Sequence, residues 1–253
     1  MRFVGLMTMF LAWNLLEVTG QPTVALRCRL FASSRREPIQ LDLVTAARRK
    51  ELLHKFLTCA EADSQIDLDG FHFSYKDNWS GSNAELTGLM AATIYHVNDV
   101  ARTLLHYTKD FNAQNKHGWS ALHYAARVGN TDILNILLDI GGDVNTKNKG
   151  LPASFRSVGF TPLMTAAYAA KNTTASILIA RGAHLDTAAT AAYFYRYTAL
   201  MLAAIRGSMS IVAELLDHGA DKHLTGNGWT AEMFASNNGH PDIANFIRNY
   251  RGY

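Results

Sequence analysis

Ten histidines, two cysteines and 21 carboxylates give this 253-residue chain ample titratable chemistry, yet their spacing assembles no familiar catalytic set. His96, His106, His117, His123, His184, His218, His223 and His240 are scattered. There is no G-x-S-x-G elbow, no phosphate-binding glycine loop and no H-E-x-x-H helix. Cys28 and Cys59 stand alone, without the Cys-x-x-Cys or clustered Cys/His spacing of a zinc site. Asp110, Asp143, Asp186 and Asp221 read as turn-forming carboxylates. No enzyme, cofactor or small-molecule substrate is expected. The chemistry that the spacing does support is recognition. Large side chains directly precede a recurring Thr or Ser: Leu86, Trp119, Phe160, Tyr197 and Trp229. Tyr193, Phe194, Tyr195 and Arg196 crowd beside one of them, and Tyr168, Arg127 and Arg206 follow recurrent pairs of small residues. Trp, Tyr and Arg dominate binding hot spots because they bring large area at low entropy cost and, in Arg, a planar cation.

The elements that must hold these residues follow from the recurrence itself. Thr87, Ser120, Thr161, Thr198 and Thr230 are separated by 33, 41, 37 and 32 residues. Each opens a short segment, a tight turn, a longer apolar segment and a Gly stop, most plainly in GWSALHYAARVGNTDILNILLDIGGDVN (118–145). Small residues repeat at Ala92/Thr93, Ala125/Ala126, Ala166/Ala167, Ala203/Ala204 and Ala235/Ser236. Bulky ones repeat at Leu104/Leu105, Leu137/Leu138, Leu178/Ile179 and Leu215/Leu216. Spacings of three and four place the bulky pairs on one stripe of a helix. The Thr or Ser is an N-cap, and Gly141, Gly182 and Gly219 suit left-handed helix ends. With 48% hydrophobic residues, one stacked array accounts for nearly all the chain. Its net charge of +3 is too mild to imply nucleic acid.

A period near 33 with a T-P-L-H-x-A-A core resembles the ankyrin repeat. The resemblance implies an all-α solenoid of helix–turn–helix repeats with short β-turn fingers, and a protein partner bound through the fingers and the concave inner-helix surface. A structural scaffold without a concave-face ligand is the alternative. The array spans 41–251: an N-cap repeat at 41–67, repeats at 83–115, 116–148, 157–189 and 194–226, and a C-cap repeat at 227–251. LDLVTAARRKELLHKFL (41–57) reads as the helix pair of the N-cap, and Glu232, Asn237, Asn238, Arg248 and Arg251 as the polar face of the C-cap. Loops at 67–83, 147–158 and 187–196 interrupt the rhythm, the last two by about eight and four extra residues, and insertions in such arrays often mark the binding face. In this family the residue before the Thr/Ser points from the finger toward the partner. The resemblance thus makes Trp119, Phe160, Tyr197 and Trp229, with Tyr168, Phe194, Tyr195, Arg196, Arg127 and Arg206, the partner-binding set. Trp119 is expected to be the most structural of these, and Arg127 and Arg206 the most functional. His123, in the T-P-L-H slot, is expected to bond between loops. Leu137, Asp143, Val144 and Asn145 match the family's pattern for asparagine hydroxylation, which would require a cytosolic location.

Residues 1–20 differ from the rest. Arg2, the apolar run Phe3–Leu16 and Val18-Thr19-Gly20 have the layout of a secretory signal peptide, leaving an arm at 21–40 and no membrane span after removal. Secretion or an endomembrane lumen follows, and with it the thought of a secreted effector. The competing address is mitochondrial, because Arg2, Arg27, Arg29, Arg35 and Arg36 face only Glu17. A cytoplasmic location follows if the segment is not a working signal. In an oxidising compartment Cys28 and Cys59 could pair, with free thiols as the alternative. Asn78-Trp79-Ser80 is a usable glycosylation sequon, whereas Asn172-Thr173-Thr174 falls in a tight turn.

Overall fold

A computed structural model describes residues 39–40, 46–62, 73–76, 83–108, 110–149, 159–190 and 194–252. The expected signal peptide, Cys28, Asn78 and Tyr193 lie outside the described residues.

From Thr87 onward the chain forms five helix pairs. These are α2 (Gly88–Ile94) with α3 (Asn98–Tyr107), α4 (Ala121–Val128) with α5 (Thr131–Asp139), and α6 (Pro162–Tyr168) with α7 (Asn172–Ala180). Then come α8 (Ala199–Arg206) with α9 (Met209–Asp217) and α10 (Ala231–Asn237) with α11 (Pro241–Asn249). The short helices α2, α4, α6, α8 and α10 stack in one layer, and the longer ones in a second layer behind them. Helices of 7–10 residues are marginal alone, so each depends on its neighbours.

The small pairs make the inner layer possible. Ala92, Thr93, Ala125, Ala126, Ala166, Ala167, Ala203 and Ala204 are fully buried, and small side chains there let neighbouring helices lie close. Leu104, Leu137, Leu178 and Leu215 fill the space between layers. Thr87, Thr161 and Thr230 cap their helices by accepting the N–H three residues on at 3.3–3.4 Å. The outer helices α5, α7 and α9 end alike. Gly141, Gly182 and Gly219 take φ of 98°, 82° and 89°. The next N–H then donates back to Leu137, Leu178 or Leu215 at 2.8, 3.0 and 2.9 Å.

At the N-terminal end the structure differs from expectation in two places. Residues 46–62 form one continuous helix, α1 (Ala46–Ala62), instead of a helix pair within 41–57. Its 17 residues contain no Gly or Pro to break them, and it packs in the outer layer against α3, with Leu52 and Leu53 buried in the core. The segment read as a loop at 67–83 includes a strand. β1 (Ile39–Gln40) runs parallel to β2 (Phe73–Lys76), which pairs antiparallel with β3 (Asn83–Leu86), Phe73 opposite Leu86. Phe71, Phe73 and Tyr75 alternate with period two, the pattern of a strand. The all-α solenoid thus carries one small sheet at its first repeat.

The C-terminal end is closed by polar groups. Arg248 reaches Glu232 at 2.7 Å. The Lys222 ammonium donates to the carbonyls of Ile247, Arg248 and Tyr250 at 3.1, 3.2 and 2.6 Å, placing a cation on the negative end of α11.

Candidate protein interface

The column before each Thr/Ser does not form an exposed ladder. Leu86, Trp119, Phe160 and Tyr197 are buried, and so is Phe194. Trp119, Phe160, Phe194 and Tyr197 therefore belong to the interior of the stack, not to a partner contact. Two kinds of ring contact hold the column, one local and one between repeats. A residue just ahead of an N-cap packs on the fourth residue of the helix as a hydrophobic staple. Trp119 does so on Tyr124, with ring centroids 5.3 Å apart, and Trp229 on Phe234 at 5.6 Å. The aromatic insertion adds a second layer. Phe194 meets Phe160 at 5.5 Å, Tyr168 at 5.8 Å and Tyr197 at 5.0 Å, and Tyr197 meets Phe234 at 4.6 Å. One chain of rings crosses three helix pairs.

The remaining members of the set are reachable. Tyr168 and Arg127 are half-buried, whereas Arg206, Arg196, Tyr195 and Trp229 are exposed. Arg127 lies over the Trp119 ring at 5.6 Å and Arg206 over the Tyr168 ring at 5.2 Å. Each aromatic face orders the guanidinium plane that rests on it. Met233, 51% exposed, was not singled out from the sequence. It fills the T-P-L-H slot of the repeat opened by Thr230.

His123 is fully buried in that slot. Its Nδ1 accepts the Ser120 N–H at 3.3 Å, and its Nε2 lies 3.0 Å from the Phe160 carbonyl, which fits a neutral ring donating from Nε2. Burial drives its pKa down to about 4, against weaker opposing contributions from the Phe160 and Thr146 backbone and Asp143.

The turn carboxylates divide in two. Asp110, Asp143 and Asp221 each accept the N–H two residues on. Asp186 instead shares the role of Asn145. Asn145 accepts the His184 N–H at 2.7 Å and Asp186 the Asp221 N–H at 3.0 Å, each tying its finger to the next. Asn172 accepts from Ser208 Oγ at 2.8 Å while Thr174 is buried, so this sequon is part of the packing.

Cys59 is buried and disulfide-bonded. Among the described residues no group of three or more His, Cys, Asp or Glu could hold a metal ion, and no helix is long and apolar enough to cross a membrane.

Comparison with known proteins places this geometry. The family described as ankyrin repeats (3 copies) matches residues 43–148, 89–189, 129–224 and 163–252. A transient receptor potential cation channel subfamily A member 1 homolog of Caenorhabditis elegans is 32% identical over 162 residues. That alignment takes in 63% of this chain but only 12% of the channel homolog's length. With overlapping family matches from residue 43 to 252 and a two-layer helix stack to go with them, the chain belongs to the ankyrin-repeat family.

Proposed function

We propose that this chain recognises a partner protein through its finger turns and the concave surface of its inner helices. Ankyrin repeats are in general protein–protein interaction modules rather than enzymes. The finer reading is carried by the two stacked cations, Arg127 on Trp119 and Arg206 on Tyr168. A guanidinium already held on a ring loses little freedom when it meets a partner's carboxylate or carbonyl. Arg127→Ala with Arg206→Ala should therefore weaken partner binding by roughly 2–4 kcal/mol, the loss typical of hot-spot arginines. Quantitative pull-down from native extract measures it, with the circular dichroism of the double variant as a folding control. Undiminished recovery by a folded variant would discard the interface.

A second reading, that the protein works in the secretory pathway or outside the cell, is favoured by the disulfide at Cys59. The chain's other cysteine, Cys28, lies beyond the described residues but within what a cut after Gly20 would retain. Mass spectrometry of the mature N-terminus decides it. A start near Gln21 with two thiols fewer on alkylation supports this address, and a start near Ala32 or at Met1 counts against it.

A further inference from the structure

We infer that the finger tips of the last two helix pairs are the principal docking point, and that their occupant is an acidic, extended peptide segment of a partner protein carrying one large apolar side chain. This rests on the interface reading and narrows it to Arg196, Tyr195, Trp229 and Met233.

Arg196 is the first observation. Two residues before the Thr/Ser, the fingers carry Gly118, Gly159, Arg196 and Gly228, with φ of 75°, 78°, 62° and 80°. At two of these positions glycine also makes room, whereas a Cβ at Gly228 would meet nothing within 4 Å. A Cβ at Gly118 would come within 1.9 Å of the Lys149 backbone nitrogen, and one at Gly159 within 2.6 Å of Thr190 Oγ1. At Arg196 the chain accepts a left-handed conformation that L side chains avoid, and places a guanidinium at the tip. That side chain is exposed, and among the described residues it makes no hydrogen bond or ion pair. The finger turn itself requires that φ, since the Arg196 N–H donates to the Ala189 carbonyl at 2.9 Å and the Tyr197 N–H to the Phe194 carbonyl at 3.1 Å, whereas the choice of arginine over glycine brings the fold no side-chain hydrogen bond among the described residues.

The second observation is apolar exposure beside that cation. Tyr195 is 55% exposed, Trp229 40% and Met233 51%. Earlier members of the Trp229 column are at most 7% exposed and those of the Met233 slot at most 1%. The two tips are joined, since the Asn227 N–H donates to the Tyr195 carbonyl at 3.1 Å. Arg196 and the ring of Trp229 on adjoining fingers, with the thioether of Met233 in the first turn of α10, thus offer a cation and two exposed apolar side chains.

Charge selects the occupant. The inner helices hold Arg127 and Arg206 against one carboxylate, Glu232, which Arg248 neutralises. Their paired outer helices hold Asp99, Asp132, Asp139, Glu214, Asp217 and Asp242 against two arginines. The fingers hold Lys116, Lys147, Lys149, Arg196 and Lys222 against Asp110, Asp143, Asp186 and Asp221, so among the described residues the face shared by fingers and inner helices is mildly basic while the outer helices are acidic, and a second copy's outer face would have to bury its own acids to fit there. Adjacent repeats pack at helix–helix distances of about 8–10 Å. An extended chain covers that in about three residues at roughly 3.3 Å each. The segment should therefore present Asp or Glu three positions from Trp, Phe, Leu or Met.

The experiment is selection of a random 12-residue peptide phage library on the full chain, followed by anisotropy titration of a fluorescein-labelled enriched peptide and of labelled 20-nucleotide poly(dT). The inference expects acidic peptides with that three-residue spacing. It expects Arg196→Gly and Trp229→Ala each to weaken binding at least 10-fold. Arg196→Gly should melt no lower than the parent, since glycine adopts this φ without strain. Enrichment of neutral or basic peptides, enrichment of none, or an oligonucleotide whose binding Arg196→Gly abolishes would each overturn it. Peptide binding that survives Arg196→Gly and Trp229→Ala but fails in Arg127→Ala with Arg206→Ala overturns this docking point and leaves the broader interface standing. Binding that survives all four substitutions ends both.

Discussion

Phe194→Ala is expected to destabilise the array by about 3–5 kcal/mol, the usual loss when a buried phenylalanine is emptied. Its ring is 5% exposed and touches Phe160, Tyr168 and Tyr197, each from a different segment of the third and fourth helix pairs. Removing it opens a cavity at the point where the connection between these pairs is lengthened, and so weakens a nearest-neighbour contact on which a linear array depends. Urea unfolding followed by circular dichroism should show a lower midpoint and a broadened or split transition, as the units on either side uncouple. Tyr195→Ala, one residue on and 55% exposed, should change the stability by no more than about 0.5 kcal/mol. Equal effects from the two neighbours would mean that the ring chain contributes nothing to coupling.

The contrast between Phe194 and Tyr195 also shows what could be read from the sequence. The repeat was legible because it rests on local rules applied again and again: a Thr or Ser cap and a small pair in all five helix pairs, a leucine stripe in four and a left-handed glycine stop in three. Each rule leaves a residue type at a fixed offset. The fate of the aromatic column was not legible, because an exposed tip and a buried staple use the same residues. Which applies depends on whether another finger lies on top, as Trp119 at 4% and Trp229 at 40% exposure demonstrate. Position in the stack decides, and no window of sequence around a residue contains it. The first repeat failed for another reason. An uninterrupted run of helix formers in α1 and a period-two strand at Phe73–Lys76 carry strong local signals of their own, and these override the repeat rhythm. Arg196 stood out only once its φ was known, since the sequence shows an arginine where the structure shows an arginine in a glycine's place.

Lowering the pH from 6.5 to about 4 should destabilise the folded chain by about 3 kcal/mol through His123 alone. The sign follows from which state binds the proton. Unfolded, the imidazole protonates at its ordinary pKa near 6.5, but buried between Ser120 and Phe160 it stays neutral until about pH 4. Across that window the unfolded state binds more protons. Stability therefore rises with pH, by up to about 1.4 kcal/mol per pH unit. His123→Met isolates the effect, because Met90, Met164 and Met201 occupy the same slot at 1% exposure. Met164 shows that the sulfur can face the N-cap N–H, with Thr161 N at 3.4 Å. The Phe160 carbonyl that His123 would abandon still accepts from Asn148 N–H at 3.0 Å, so the variant should lose only about 1 kcal/mol at neutral pH. Other titrating groups act alike in both proteins and cancel in the difference. Urea midpoints measured from pH 7 to 4 should then cross near pH 5 to 6, with the methionine variant the more stable one in acid. Parallel curves would mean that the His123 ring takes up its proton in the folded state as readily as in the unfolded one, and that its two hydrogen bonds do not hold it neutral.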